Sequence, residues 1–315
     1  MTLRISSDTL AETAHRCETD LVGWRITRMR EALAGAPLVV VATGSTHSAA
    51  LLWARLHEET GHAAWASTPH DFVARALPPG TRVLLLSGSG RHHDMLRAAR
   101  HAVRCAPAVH AAVCTHRPPL GDLLRDAGDQ NGVIQLTGPD AGLDGFLPLR
   151  ALVPMIVLAA RVRGTPGLLA PVFGTARPAS VPPTPPRDVV VLGAGLATPA
   201  AADFAIKVRE SGLAPASYAD PRDFAHGAWR AADPERTWLV SFALPEQRPY
   251  LDAMLADLPL PTVRIQTRRA GVEGALELLA RGALTLARAI EHHGAEPHRA
   301  KIPAWATRLY HRAED

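Results

Sequence analysis

Cysteine, aromatic residues, long apolar runs and blocks of like charge are all scarce in this sequence, and each scarcity removes a class of protein. The three cysteines, Cys17, Cys105 and Cys114, form no Cys-x-x-Cys pair, and an odd number does not make a disulfide framework. A reducing, cytoplasmic setting is therefore expected. Aromatic residues are 5% of the chain, so the core must be built from Ala, Leu and Val. The longest apolar run, ALVPMIVLAARV at 151–162, is too short to span a bilayer and reads as a buried helix. The first twenty residues are polar and charged, so neither a signal peptide nor membrane association is expected. Basic residues outnumber acidic ones by 34 to 30, giving a net charge of +4, yet they never cluster in a run of five or six. That spread fits an anionic small molecule better than the clustered footprint of a nucleic-acid binder. A genome that favours arginine over lysine would produce the same excess, and composition leaves both explanations open.

What the chain does have is alternation. With 315 residues, 47% of them hydrophobic, it is long enough for two domains. Residues 8–34 read as one amphipathic helix, with Leu10, Cys17, Leu21, Trp24 and Ile26 at roughly helical spacing. PLVVVATGSTHSAALLWARLHEETG then gives a buried strand, a Gly-Ser-Thr turn and a helix, and TRVLLLSGSGRHHDMLRAARHA repeats the plan. APAVHAAVCTH and NGVIQLTG read as further strands. Six prolines within residues 171–187 predict a stiff, extended linker. After it DVVVLGAGLATPAAADFAIKVRESG restarts the alternation, followed by strands in RTWLVSFAL and PTVRIQT and helices near 246–257 and 271–292. The expected fold is α/β: two domains, each a parallel sheet flanked by helices. The expected division is 1–175, a linker at 176–187, and 188–315.

In open parallel sheets ligands bind where strands end and helices begin, and helix N-termini there favour anions. TGSTHS (43–48) and SGSG (87–90) are such turns. Gly44 and Gly90 allow close backbone approach, Ser45, Thr46, Ser48, Ser87 and Ser89 offer hydroxyls, and Arg91 and His92 add positive charge. Taken singly, each turn is equally explained by backbone needs. GAGLAT at 193–198 lacks the third glycine of a dinucleotide fingerprint, so no nicotinamide cofactor is expected. Adjacent histidines in RHHD point in different directions at a helix start, so no metal is expected either.

These turns, together with KVRESGLAPASYADPRDFAHG (207–227), resemble the tandem sugar isomerase (SIS) family over most of the chain. GSTHSA and SGSG resemble its first-domain signature. GAGLATPAA, then Lys-x-x-Glu, then His-Gly, resemble its second, with spacings of three and sixteen between Lys207, Glu210 and His226. Asp203 falls at an acidic position of that pattern, and Lys301 at a functional lysine of the C-terminal tail. The sequence departs from the family at Arg91-His92-His93-Asp94, where phosphosugar enzymes often carry Thr. The resemblance implies an aldose–ketose isomerase for a phosphorylated sugar. Glu210 would be the base, His226 the ring-opening group reaching into a neighbouring subunit of a homodimer, and Lys207 and Lys301 the cations. It also implies that Glu210 faces the crevice at the strand ends. Two other readings stand beside it: a deglycase or deaminase of a sugar-phosphate amine adduct, and a non-catalytic sugar-phosphate-binding regulator. Lys207 beside Glu210 would favour the ionised carboxylate while burial would oppose it, and the sequence leaves that balance open.

Overall fold

The computed structural model describes residues 5–21, 23–114, 118–136, 147–165, 167 and 169–294. Two helices open the chain, α1 (Ser7–Asp20) and α2 (Gly23–Leu33). The single helix expected over 8–34 is thus broken ahead of Gly23, a residue with poor helix propensity. The first sheet contains β1 (Leu38–Val41), β2 (Ala64–Ser67), β3 (Arg82–Ser87), β4 (Val109–Val113) and β5 (Gly132–Gln135). Its helices are α3 (Thr46–Glu58), α4 (Pro69–Val73), α5 (His93–Cys105), α6 (Pro119–Asp126) and α7 (Leu147–Val162). After α8 (Ala170–Gly174), the second sheet contains β6 (Asp188–Leu192), β7 (Ala216–Ala219), β8 (Thr237–Ala243) and β9 (Thr262–Gln266). Between and after them run α9 (Thr198–Glu210), α10 (Pro221–His226), α11 (Arg248–Ala256) and α12 (Gly271–His293).

Every strand pairing in both sheets is parallel. The strand order is β2-β1-β3-β4-β5 in the first and β7-β6-β8-β9 in the second. In each, the chain leaves the first-formed strand toward one side and later continues toward the other. The switch points therefore lie between β1 and β3 and between β6 and β8, which is where such sheets open a ligand crevice. All four residues of β1 and all seven of β8 are buried, as strands covered on both faces must be.

The cores are aliphatic, as the shortage of aromatics requires. On one face of the first sheet Val39, Val41, Val83, Leu85 and Val109 pack with Met95, Ala98, Ala99 and Ala102, which recur along α5 at helical spacing. In the second sheet Leu192 and Leu239 pack with Phe224 and Leu255. Phe204 of α9 meets Phe242 of β8 edge-on at 5.6 Å. A Cβ on Gly282 of α12 would lie 3.1 Å from the Phe242 ring, so glycine lets that helix approach.

Contacts divide the chain into two units. One holds the first sheet with the described residues of 20–138 and 150–163; the other holds the second sheet with those of 1–19 and 164–296. α1 thus joins the second sheet, where the Glu18 carboxylate accepts the Leu169 N–H at 2.9 Å. The proline-rich stretch is extended, as its composition predicts, and it is also docked. The Ala179 N–H donates to Thr285 Oγ1 at 2.9 Å, and the Trp238 indole N–H donates to the Thr184 carbonyl at 3.0 Å. Among the described residues no helix is long and apolar enough to cross a membrane.

Candidate active site

The first sheet brings its two hydroxyl-bearing turns side by side. β1 and β3 are hydrogen-bonded neighbours with Val41 opposite Leu85, so residues 42–45 and 88–92 leave adjacent strand ends. Thr46 Oγ1 donates to the Thr43 carbonyl at 2.7 Å and lies 3.5 Å from the Leu86 carbonyl, spanning the two strands. Gly44 has φ 59°, a left-handed conformation that favours glycine. Ser45, Thr46 and Ser48 are buried, and Ser48 Oγ has no hydrogen-bond partner among the described residues.

The second turn is held from the start of α6. Gly90 has φ 62°, and a Cβ there would lie 2.6 Å from Pro118 Cβ, so no other residue fits without a shift of the backbone. Its N–H donates to Ser87 Oγ at 3.0 Å, and its carbonyl accepts the Leu120 N–H at 3.1 Å. Ser89 is exposed and its Oγ accepts the Arg91 N–H at 3.3 Å; Arg91 is exposed as well. His92 caps α5 with no side-chain bond to the helix, and its Nδ1 stands 3.4 Å from Asp94 Oδ2. The first-turn N–H groups of α5 therefore lack a side-chain cap, beside an exposed guanidinium and hydroxyl. That is an anion-binding arrangement. His47, which the motif reading does not single out, is half-buried in the first turn. Burial lowers its pKa, opposed by the Ala42 backbone and Asp71, so the imidazole there is held toward its neutral form. The signal for it was its place inside TGSTHS.

In the second sheet a side chain bridges the corresponding switch point. Gln247, at the start of α11, donates from Nε2 to the Ala194 carbonyl at 2.8 Å and accepts the Leu244 N–H on Oε1 at 3.2 Å. The chemistry lies instead along α9. Lys207 and Asp203, four residues apart, form a buried ion pair, with side chains 1% and 3% exposed. Beyond that pair, Lys207 Nζ and Asp203 Oδ1 have no hydrogen-bond partner among the described residues. Burial raises the Asp203 pKa and Lys207 opposes the rise. Lys207 therefore forms its ion pair with Asp203, and it acts on Glu210 through its charge.

Glu210 ends α9, and its side chain reaches water. Enough protein surrounds its carboxyl that desolvation raises its pKa; Lys207 lowers it, Asp203 raises it and Arg209 lowers it, in falling order. Burial wins the contest that the sequence left open. The expected position in the crevice is corrected, however. α9 starts at the carboxyl end of β6 and runs back along the sheet for 13 residues, about 20 Å. The Arg209 guanidinium bonds the carbonyl of Ala216, the first residue of β7, at 2.6 Å. Glu210 thus stands at the edge where strands begin. His226 is exposed at the last position of α10 and has no hydrogen bond or ion pair among the described residues. Nothing within this unit joins it to Glu210. Lys301 lies outside the described residues.

No protein-family model matches the chain, and no curated protein matches it in sequence. Solved structures do match in fold. Tagatose-6-phosphate ketose/aldose isomerase from Escherichia coli superposes with a TM-score of 0.69, 17% identity and 96% of each chain covered. Glucosamine-6-phosphate deaminase from Thermotoga maritima superposes with a TM-score of 0.66 and 14% identity, over 95% of this chain and 98% of that one. The C-terminal domain of glucosamine-fructose-6-phosphate aminotransferase from Francisella tularensis gives 0.62 and 12%, over 91% and 94%. The chain has the fold of these phosphosugar proteins. The likeness extends over both sheets and agrees with the sugar isomerase resemblance carried by the turns and by Lys207, Glu210 and His226.

Proposed function

We propose that the protein is an aldose–ketose isomerase acting on a phosphorylated sugar. The observation that carries this reading is the setting of Glu210: a water-accessible carboxylate three residues beyond the buried Lys207 and sixteen before His226, on a fold shared with solved phosphosugar isomerases. A raised pKa makes a carboxylate a stronger base once ionised. Glu210 takes the C2 proton of the open-chain aldose. The released electron pair forms the C1–C2 double bond of an enediolate, leaving negative charge on O1. The O2 proton moves to O1, the C2 carbonyl forms, and Glu210 returns its proton to C1. Ser89, Arg91 and the N-terminus of α5 hold the phosphate. His226 opens the sugar ring in the site of a neighbouring subunit, and Lys301 stabilises the enediolate. Lys207 holds Asp203 and tempers the Glu210 carboxylate from within the fold.

The test is proton exchange. Hexose and pentose phosphates incubated with the protein in deuterated water should gain deuterium at C1 or C2, and Glu210→Gln should abolish this while sparing binding. Binding without exchange would overturn the isomerase in favour of a regulator. The fold shared with a deaminase and the altered turn at 91–94 favour one second reading, removal of an amine from a sugar-phosphate adduct. Amine release from an amino sugar phosphate would identify it.

A further inference from the structure

A groove of about 690 Å³ runs along β5, the edge strand of the first sheet, and continues into a smaller one of about 320 Å³. Arg28 of α2, His110 of β4 and Asn131 line both. Arg82, the first residue of β3, lines the smaller one, and its guanidinium donates to the Ala32 carbonyl near the end of α2. Among the described residues neither Arg28 nor Arg82 pairs with a carboxylate. Asn131 Oδ1 is committed to the Val109 N–H at 2.9 Å, which leaves Nδ2, a buried donor without a partner among the described residues. His110 is also largely buried, and its Nδ1 has no hydrogen bond of normal geometry there. Burial lowers the His110 pKa, the Val109 backbone opposes this, and Arg82 and Arg28 lower it further, so both guanidinium groups act on the ring. The one acidic residue in the lining, Asp129, is exposed and screened by water.

Two arginines that pair with no carboxylate among the described residues, beside a buried, unpartnered amide donor in the lining of a metabolite-sized groove, form a site for negative charge, with Asp129 exposed at its rim. We infer that this groove binds a small organic anion, a phosphorylated or carboxylated metabolite, with Arg28 and Arg82 on its charge and Asn131 Nδ2 as the orienting donor. Arg82 begins β3 and Ser87 ends it, so the arginine end of the groove lies about 17 Å along the strand from the second turn. The arginine end of the groove is distinct from the turns assigned to the sugar phosphate, while its far end is lined by Val113 and Pro118, which pack under Gly90, so a second metabolite bound there can regulate the turn.

The test follows the Asn131 side-chain amide and the His110 ring by NMR while inorganic phosphate is added to the full-length protein. A saturable shift at both residues is expected. It should weaken about tenfold or more in Arg28→Ala and in Arg82→Lys, which keeps a cation near Ala32, and persist in Arg91→Ala. Absence of a saturable shift, or equal affinity in wild type and both groove variants, overturns the site. A change of oligomeric state in Arg28→Ala also overturns it, by making the groove an interface between copies. None of these outcomes depends on whether Glu210 catalyses isomerisation.

Discussion

The two sheets share the order of four strands, the first adding β5 as a fifth, and differ in what stands at the switch point. Between β1 and β3 the turns carry Ser45, Thr46, Ser87 and Ser89, and an uncapped helix start opens beside Arg91. Between β6 and β8 the turn is Gly-Ala-Gly-Leu-Ala, and Gln247 is bonded across it. The first crevice carries four hydroxyls and a guanidinium, whereas the second carries the Thr198 hydroxyl at the start of α9, which donates to the Gly193 carbonyl. The second unit instead places buried charge on α9, where Lys207 lies one turn and Asp203 two turns from Glu210. Two sheets of related strand order thus carry hydroxyl-bearing turns in one and a buried ion pair leading to an exposed carboxyl in the other. Function follows side chains placed on the repeated plan and not the plan itself.

The largest expected effect is on the buried pair. Lys207→Ala leaves Asp203 buried without its cation and should cost about 3–5 kcal/mol in urea unfolding, whereas Lys207→Met combined with Asp203→Leu should recover much of that. An unchanged midpoint in Lys207→Ala would show that α9 does not depend on the pair. Next is the pH profile of turnover. Because desolvation raises the Glu210 pKa, the base is lost on acidification at a pH above the ordinary glutamate range, and activity rises with pH through that limb. Lys207 opposes the rise, so Lys207→Met should move the limb further up; a limb at the ordinary position would remove Glu210 as the base. At the binding edge, Arg91→Ala should raise KM about tenfold with kcat little changed, while Thr198→Ala, at the second crevice, should alter neither. Equal effects would erase the distinction between the two crevices. The smallest effect belongs to Gln247→Ala: about 1 kcal/mol of stability and no change in KM. A higher KM there would bring the second crevice into substrate binding.

Much of the architecture was legible because buried parallel strands are runs of Val and Leu, such as LVVV and RVLLLS, between small-residue turns. β2 (AWAS) and β7 (ASYA) were not, because edge strands rich in Ala and Ser carry neither β-branched runs nor clear alternation. The proline stretch was legible as extended, while its docking through Ala179 and Thr184 depends on partners more than fifty residues away. At the site, the spacing of Lys207, Glu210 and His226 was plain but the burial of Lys207 was not. A Lys and a Glu three apart read as a surface pair; the partner that matters is Asp203, four residues earlier on the inner face. Composition held an unused clue. Lys207 and Lys301 are the only lysines among 34 basic residues, in a chain that uses arginine everywhere else. At 207 a compact ammonium on a slender stem fits beside a buried carboxylate where a planar guanidinium would need more space and more acceptors.

The sequence by itself determined the local physics: which segments are strands, which turns carry hydroxyls, and which three residues keep a fixed spacing. Tertiary structure decided what bridges each switch point, because Gln247, at the start of α11, reaches Ala194 from 53 residues along the chain. It also decided the direction of the Glu210 shift. Desolvation is set by everything packed around a carboxyl, while the charge opposing it is set by a neighbour along the helix, and only the folded chain weighs one against the other.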